Sequence, residues 1–299
     1  MKFSVIGFGA LNVDKFYQVN KIAHEGEESS ILKVSESPGG SAANTIVGLT
    51  RLSVKTGFVG KVANDHEGQL LLDDFRRERV NTDGIILAQK GTSGTVSAFI
   101  DKNGERALYV HPSVNDSLTF EEINLEYVNQ TEFLHLTSFD QKPFRAQKLV
   151  VEKLVNVKVS FDPGEIYARK GLAALKPIIK RCHVAMPSEN EVKLLTGKDW
   201  KEGAKQLLSE DAEIVAVKLG QKGCYVTDGS QNHLIPPFKT RVVDTTGAGD
   251  AFCAGFLYGL VKKKDLFECG RLGNLVASKC IAKVGARTGL PHSHELKAV

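Results

Sequence analysis

The sequence predicts an α/β protein built as one domain, with a mainly parallel central sheet covered by helices on both faces and a small β appendage. Three observations carry this. From residue 131 onward, apolar runs such as "TEFLHLTSF", "VKVSFDPG", "CHVAMPS" and "IVAVKLG" alternate with helical stretches such as "AQKLVVEKLV" and "EVKLLTG". That alternation is the signature of strands joined by crossover helices. Residues 94–110 place "GTVSAFID" and "RALYV" on either side of "KNGE", and an Asn-Gly turn between alternating apolar runs is the strongest short hairpin signal. The chain of 299 residues is 42% hydrophobic and 25% charged, an ordinary globular composition, and it contains no repeat, low-complexity tract or linker.

Taken in order, "KFSVIGFG" reads as a buried strand ending in glycines. The stretch from "NVD" to "VSES" is polar and rich in strand-like pieces. "PGGSAANTIVGLTRL" turns on Pro38-Gly39-Gly40 and enters a helix, "KTGFVGKV" is a strand, and "DHEGQLLLDDFRRERV" is a helix. The appendage is assigned to about 13–36 and 91–111, inserted in a single domain over 1–299. Near the C-terminus, "VVDTT" reads as a strand end, "GAGD" as a turn, and "AFCAGFLYGLV" as a helix.

The formal charge of +4 is small and dispersed, which argues against a nucleic-acid partner. The runs "RRER" and "KKK" suit solvated helix C-termini. Five widely spaced cysteines form no C-x-x-C pair and point to a reducing compartment. There is no signal-peptide pattern and no apolar run long enough for a membrane span, so the expected location is cytoplasmic.

The "GAGD" turn carries the chemistry. A turn entering a helix exposes free N–H groups at the positive end of the helix dipole. Gly247, Ala248 and Gly249 lack bulk, so an anion can approach those amides closely. Asp250 is then either a general base beside bound phosphate, expected to be kept ionised by the helix dipole, or simply the helix N-cap. "SPGGSAAN" is a second small-residue turn before a helix, carrying Asn44, and "NVD" places Asn12 and Asp14 at the exit of the first strand. Ligands of open α/β sheets bind outside the carboxyl ends of strands.

These segments together resemble the ribokinase-like (PfkB) carbohydrate kinases. "DTTGAGDAFCAGFL" at 244–257 is similar to the family's C-terminal signature throughout, and "GGSAANT" at 39–45 to its N-terminal one. "GALNVD", "PSENE" and "KLGQKG" follow in the family's order and spacing, so the resemblance covers nearly the whole chain. It implies a three-layer α/β/α domain with a β-sheet lid, and an ATP- and Mg²⁺-dependent enzyme that phosphorylates a hydroxymethyl of a sugar, fructose- or ribose-like, with a nucleoside as the alternative acceptor. By position, Asp250 is the base and residues 247–250 are the anion hole. Asn12, Asp14, Gly39, Gly40 and Asn44 fall to the acceptor. Ser188, Lys218, Gly220, Gly223 and Asn274 fall to the nucleotide, and Glu191 to Mg²⁺ through water. Asp244 and Thr246, with "KVGARTG" at 283–289, stand where the family holds a monovalent cation such as K⁺. The lid implies a homodimer contact.

The chain departs from the family pattern in places. Ser188 replaces the usual asparagine, and "SENE" is equally a helix capping box. Ser41 and Thr137 stand where ribokinases proper carry a lysine and, nearby, an acid, which weakens ribose as the substrate. Ile46 and Ala63 also depart from the N-terminal signature. "VIGFGALN" lacks the third glycine and the distal acid of a dinucleotide fingerprint, and "GFVGKV" is not a Walker loop. "HSH" at 292–294 reads as a solvated tail. A catalytically inactive nucleotide-binding protein is the remaining rival. The "HLTSF" strand end and "YVHPSVND" are expected to select the acceptor.

Overall fold

The protein is described from a computed structural model that covers residues 1–139 and 141–296. Its strands are β1 (Phe3–Phe8), β2 (Asn12–Val19), β3 (Ile31–Gly39), β4 (Thr56–Ala63), β5 (Asn81–Ala88), β6 (Gly94–Ile100), β7 (Arg106–His111), β8 (Thr131–Thr137), β9 (Lys158–Asp162), β10 (Cys182–Ala185), β11 (Ile214–Lys218), β12 (Cys224–Thr227) and β13 (Asn232–Ile235). The helices are α1 (Ser41–Arg51), α2 (His66–Arg77), α3 (Leu125–Val128), α4 (Lys142–Lys153), α5 (Gly164–Ala168), α6 (Leu172–Ile179), α7 (Glu189–Thr196), α8 (Trp200–Ser209), α9 (Ala248–Val261) and α10 (Leu266–Cys280).

Among the described residues the main sheet has nine strands in the order β13-β12-β11-β10-β9-β8-β1-β4-β5. It is parallel from β5 to β11 and antiparallel only at the β12–β13 edge. The central strands are apolar on both faces because both are covered. Val5, Phe133 and Ala216 enter one core with Ile46 and Phe256, while their neighbours Ile6, Leu134 and Val215 enter the other with Val150 and Tyr167. This is the period-two geometry of a strand buried twice. The result is a mainly parallel sheet between two helical layers, as the resemblance implied.

A separate four-stranded sheet has the order β3-β2-β6-β7. The chain leaves the main sheet after Phe8 and enters the small one at Asn12, which pairs with both Gly39 and Gly94. The two sheets are thus joined at the exit of β1. Buried Asn115 clamps this junction: it accepts from Leu11 N (3.0 Å) and donates to Leu11 O (2.9 Å) and Asn12 Oδ1 (3.0 Å). The β6–β7 hairpin turns where the Asn-Gly signal stands, with Gly104 at φ 84°.

Two parts of the C-terminal half differ from expectation. "VVDTT" is not a strand end. Val242 and Val243 are exposed, and Val243 N and Asp244 N donate to Ile281 O at the end of α10. Apolar, β-branched residues here cover a helix end instead of joining a ladder. The second difference is α5, α6, α8 and the β12–β13 edge, which the sequence pattern did not single out. α6 is short and carries Pro177, so it lacks a full amphipathic period. No described helix is long and apolar enough to cross a membrane, and all five cysteines are free and buried.

Candidate active site

The site begins with two helix starts brought side by side. Gly40 precedes α1 at φ 102°, where a side chain would meet Ala10 O at 2.2 Å. Gly247 precedes α9 in the left-handed conformation, φ 75°, and a Cβ there would lie 2.6 Å from Ala286 Cβ. Glycine is required at both for conformation and for space. Gly247, not Asp250, is the N-cap of α9, which removes the capping reading of Asp250. Asp250 lies in the first turn and takes its hydrogen bond from Asn44 Nδ2 (2.8 Å), while Thr45 Oγ1 donates to Asp250 O (3.1 Å). These two bonds fasten α1 to α9 at the site.

Two cavities meet on this turn. The first, of about 650 Å³, is lined by Asn12, Asp14, Gly40, Asn44, Thr246 and the whole of 247–250. Val96 and Val110 reach it from the small sheet, and Thr137, Ser138 and Phe139 from the end of β8. The second, of about 580 Å³, is lined by Ser188, Glu191, Lys218, Gly220, Gly223 and Asn274, with Phe238 and Phe252 as apolar walls. Thr245, Ala248 and Gly249 belong to both. Gly39 and Asp244 line neither. Gly39 backs Asp14, and a Cβ there would meet Asp14 Oδ2 at 2.3 Å. Asp244 accepts from Thr246 N (3.0 Å), Thr246 Oγ1 (2.7 Å) and Gly285 N (2.8 Å), so its carboxylate ties the 283–289 loop to the turn. His135 of "HLTSF" is buried in the sheet against Ser160 Oγ (3.0 Å) and does not reach the cavity. Burial pushes its pKa down to about 4.

The electrostatics differ from a simple dipole-stabilised acid. Asp250 keeps a partial opening to the cavity, yet its low-dielectric surroundings push its pKa up to about 6, against the Asn44 hydrogen bond. Burial raises Asp14 likewise to about 6, opposed by Arg287. Lys218 is buried and donates to Asp162 Oδ2 (2.6 Å). Burial is the largest single influence and opposes its charge, but Asp162, Cys253 and Glu191 together outweigh it and raise its pKa. Its ammonium lies 3.4 Å from where a Cβ on Gly249 would sit, beneath the turn.

Ser188 and Glu191 form the capping box of α7. Ser188 N donates to Glu191 Oε2 (2.7 Å) and Glu191 N to Ser188 Oγ (3.3 Å). Burial, then Asp162, raises the Glu191 pKa. Among the described residues, no cluster of three or more His, Cys, Asp or Glu is placed to hold a metal directly. Asp162 Oδ1 is buried without a hydrogen-bond partner among them. Glu191 lines the second cavity and feels the charge of Asp162 behind it; such a negative wall fits a hydrated Mg²⁺, which keeps several waters and needs few protein ligands. Asn274 Nδ2 donates to Ile235 O (3.1 Å) and Pro236 O (3.0 Å), shaping the wall of the second cavity.

Sequence reasoning missed Asp162, Arg287 and the clamp Asn115. Asp162 carried a visible signal, an acid before Pro-Gly at a strand end. Arg287 and Asn115 lay inside segments that were singled out, but nothing in either residue type marked it.

Two helix N-termini over the strand ends of a ribokinase-like sheet, with adjoining cavities, define a small-molecule kinase architecture. Comparison with known proteins agrees: the model of the "pfkB family carbohydrate kinase" matches residues 2–293, and the chain belongs to that family of phosphotransferases. An uncharacterised sugar kinase of Archaeoglobus fulgidus is 47% identical over 251 residues, 83% of this chain and 99% of that protein. The ATP-dependent ribose-1-phosphate kinase of Halopiger xanaduensis is 30% identical over 285 residues, 95% of this chain and 94% of that protein. The crystal structure of ribokinase from Thermotoga maritima superposes with a TM-score of 0.90 at 25% identity, covering 99% of this chain and 98% of that one.

Proposed function

We propose that this sugar kinase transfers the γ-phosphoryl group of ATP to a hydroxymethyl of an uncharged sugar of the fructose or ribose type. The observation that carries the reading is the meeting of the two cavities on the 247–250 turn. ATP supplies the phosphoryl group, and Mg²⁺ offsets its charge. The second cavity holds the nucleotide, with Lys218, Gly220, Gly223 and Asn274 along it. Glu191, on the wall of that cavity, would meet the water shell of the metal, and the α9 amides hold the transferring group. Asn12, Asp14 and Gly40 orient the acceptor, and Asp250 takes its hydroxyl proton. Such positioning and charge stabilisation are what phosphoryl transfer requires. The small sheet acts as a lid that limits water at the site. Asp244 and Thr246, with the 283–289 loop, would hold a monovalent cation beside the turn.

No Lys, Arg or His among the described residues lines the first cavity, whereas Asp14, Asp116 and Asp250 do. This disfavours phosphorylated acceptors, despite the ribose-1-phosphate relative. A nucleoside is the second reading, supported by the apolar wall of Val96, Val110, Phe139 and Ile166, which can flank a base. A panel of sugars, phosphosugars and nucleosides, scored by ADP release, tests the proposal. Turnover with none of them would refute it.

Asp14→Asn separates binding from stability. Loss of a charged hydrogen-bond acceptor is expected to raise the acceptor KM roughly 10- to 100-fold, with the ATP KM little changed. Because burial raises Asp14 above its unfolded value, its carboxylate destabilises the folded state above about pH 6. The variant is therefore expected to melt higher than wild type at pH 7.5, and the gain should vanish on acidification toward pH 4. An unchanged acceptor KM would make Asp14 structural.

We further propose a dimer through the outer face of the lid, where Tyr17 stacks on Phe99 (4.8 Å) and Phe99 meets Tyr109 (5.8 Å). Ile31, Val34 and Tyr109 are exposed there. Tyr109→Lys is expected to convert a sedimenting dimer to monomer. A monomeric wild-type protein would end the idea.

A further inference from the structure

We propose that Arg287 is a positioning residue: by holding the Asn44 amide from behind, it decides which oxygen of Asp250 receives the proton. This rests on Asp250 being the base. Arg287 sits on the loop after α10 and is 8% exposed. Its Nε donates to Asn44 Oδ1 (2.7 Å), its Nη1 to Asp74 Oδ2, and its Nη2 to Gly39 O (3.5 Å). Its carbonyl accepts from Arg51 Nη1 (2.6 Å), and Arg51 is gripped by Glu78 through Nε (3.0 Å) and Nη2 (2.6 Å). The loop is thus fixed to the ends of α1 and α2.

A guanidinium only donates. Asn44 must therefore turn Oδ1 to Arg287 and Nδ2 to Asp250, where it occupies Oδ2. While Asp250 is ionised, the carboxylate alone would select this orientation. Once Asp250 gains a proton, it would not: a free amide could turn over and accept from a proton on Oδ2. Arg287 forbids that turn, because it would set an NH₂ against the guanidinium. Oδ2 remains an acceptor, and Oδ1 remains the oxygen for the acceptor hydroxyl. There the O–H bond breaks, the proton passes to Oδ1, and its electron pair stays on the oxygen that attacks the γ-phosphorus, whose bond to the ADP oxygen breaks with its pair leaving on ADP. A buried arginine needs a paired charge, and Asp74 supplies it through Oδ2, while its Oδ1 accepts from Arg77 Nη2 (3.2 Å). The Nε bond to Asn44 is additional to that pairing.

The charges facing Asp250 are Arg287, Lys218 from the end of β11, and Asp162 from the end of β9. The thiols of Cys253 on α9 and Cys280 on α10 are pushed up by burial, Cys280 to about 12, and stay neutral through the working range. Arg287 and the Asn44 donor both favour the ionised base, so weakening either moves the acid limb of the kcat profile to higher pH.

The experiment is a kcat–pH profile of Arg287→Met and Arg287→Lys, with ATP KM and thermal melting measured in parallel. Arg287→Met is expected to lower kcat at pH 7 roughly 10- to 100-fold, as for a misplaced catalytic group, to shift the acid limb upward, and to leave the ATP KM within about threefold. Arg287→Lys keeps the charge but cannot reach Asp74 and Asn44 together. It should return the acid limb toward wild type while kcat stays low. Wild-type kcat and acid limb in either folded variant overturn the proposal, as does a loss of activity that only follows melting with the acid limb unmoved. Should Arg287→Met not fold, Arg287→Lys decides alone. Asp250→Asn is the separate control: an active Asp250→Asn refutes the base assignment itself, whereas an inactive one with an unmoved Arg287→Met profile refutes only this inference.

Discussion

Asp250→Asn is expected to lower kcat by roughly 10²-fold or more, the usual contribution of a positioned general base, without loss of stability. Asparagine keeps the shape but cannot take the proton. Were Asp250 an N-cap, the change would be mild for activity, but Gly247 holds that position. The stability side follows from the sign of the shift. Burial raises the Asp250 pKa to about 6 in the folded protein, above its unfolded value. Its ionisation therefore opposes folding as pH rises through about 6 and contributes nothing below about pH 4. The variant should melt at or above the wild-type temperature at pH 7.5. In wild type, kcat/KM should fall below about pH 6 as Asp250 and Asp14 take up protons. ATP affinity should persist, since the amides and the Lys218–Gly223 segment remain. Near-normal kcat at saturating acceptor and ATP would defeat the mechanism.

Lys218→Met is expected to have the largest effect on stability. The ion pair with Asp162 is 12% and 9% exposed at its two side chains. Removing one partner of a buried pair costs about 3–5 kcal/mol, roughly 5–8 °C in Tm for a chain of this size. Adding Asp162→Asn should recover most of the melting temperature, because the orphaned charge is gone. If activity does not return with it, Lys218 also serves phosphoryl transfer. A Tm within 2 °C of wild type in Lys218→Met would show the pair to be dispensable.

Much of the scaffold was legible because its signals are short-range. Apolar runs alternating with amphipathic ones mark strands and crossovers, and Asn103-Gly104 marks a hairpin. Asp65 before "HEGQLLL" accepts from Gly68 N (2.8 Å) as a helix cap, and Ser188-x-x-Glu191 closes a capping box. Each is set within a few residues. "VVDTT" failed for the complementary reason: β-branched residues favour a strand only when a neighbouring strand is available, and here the neighbour is the end of α10.

By itself the sequence determined the α/β class, the small second sheet, and the small-residue turns that let backbone amides approach an anion. The tertiary structure alone decided that the two turns share one site, that Gly247 rather than Asp250 caps α9, and that Asp250 and Asp14 are buried enough to resist ionisation. It alone paired Lys218 with Asp162 across 56 residues and Arg287 with Asn44 across 243. A pKa or an amide orientation depends on which charges and donors lie within a few ångströms. Residues so far apart in the chain acquire that proximity only when the sheet, its crossover helices and the C-terminal loop pack together.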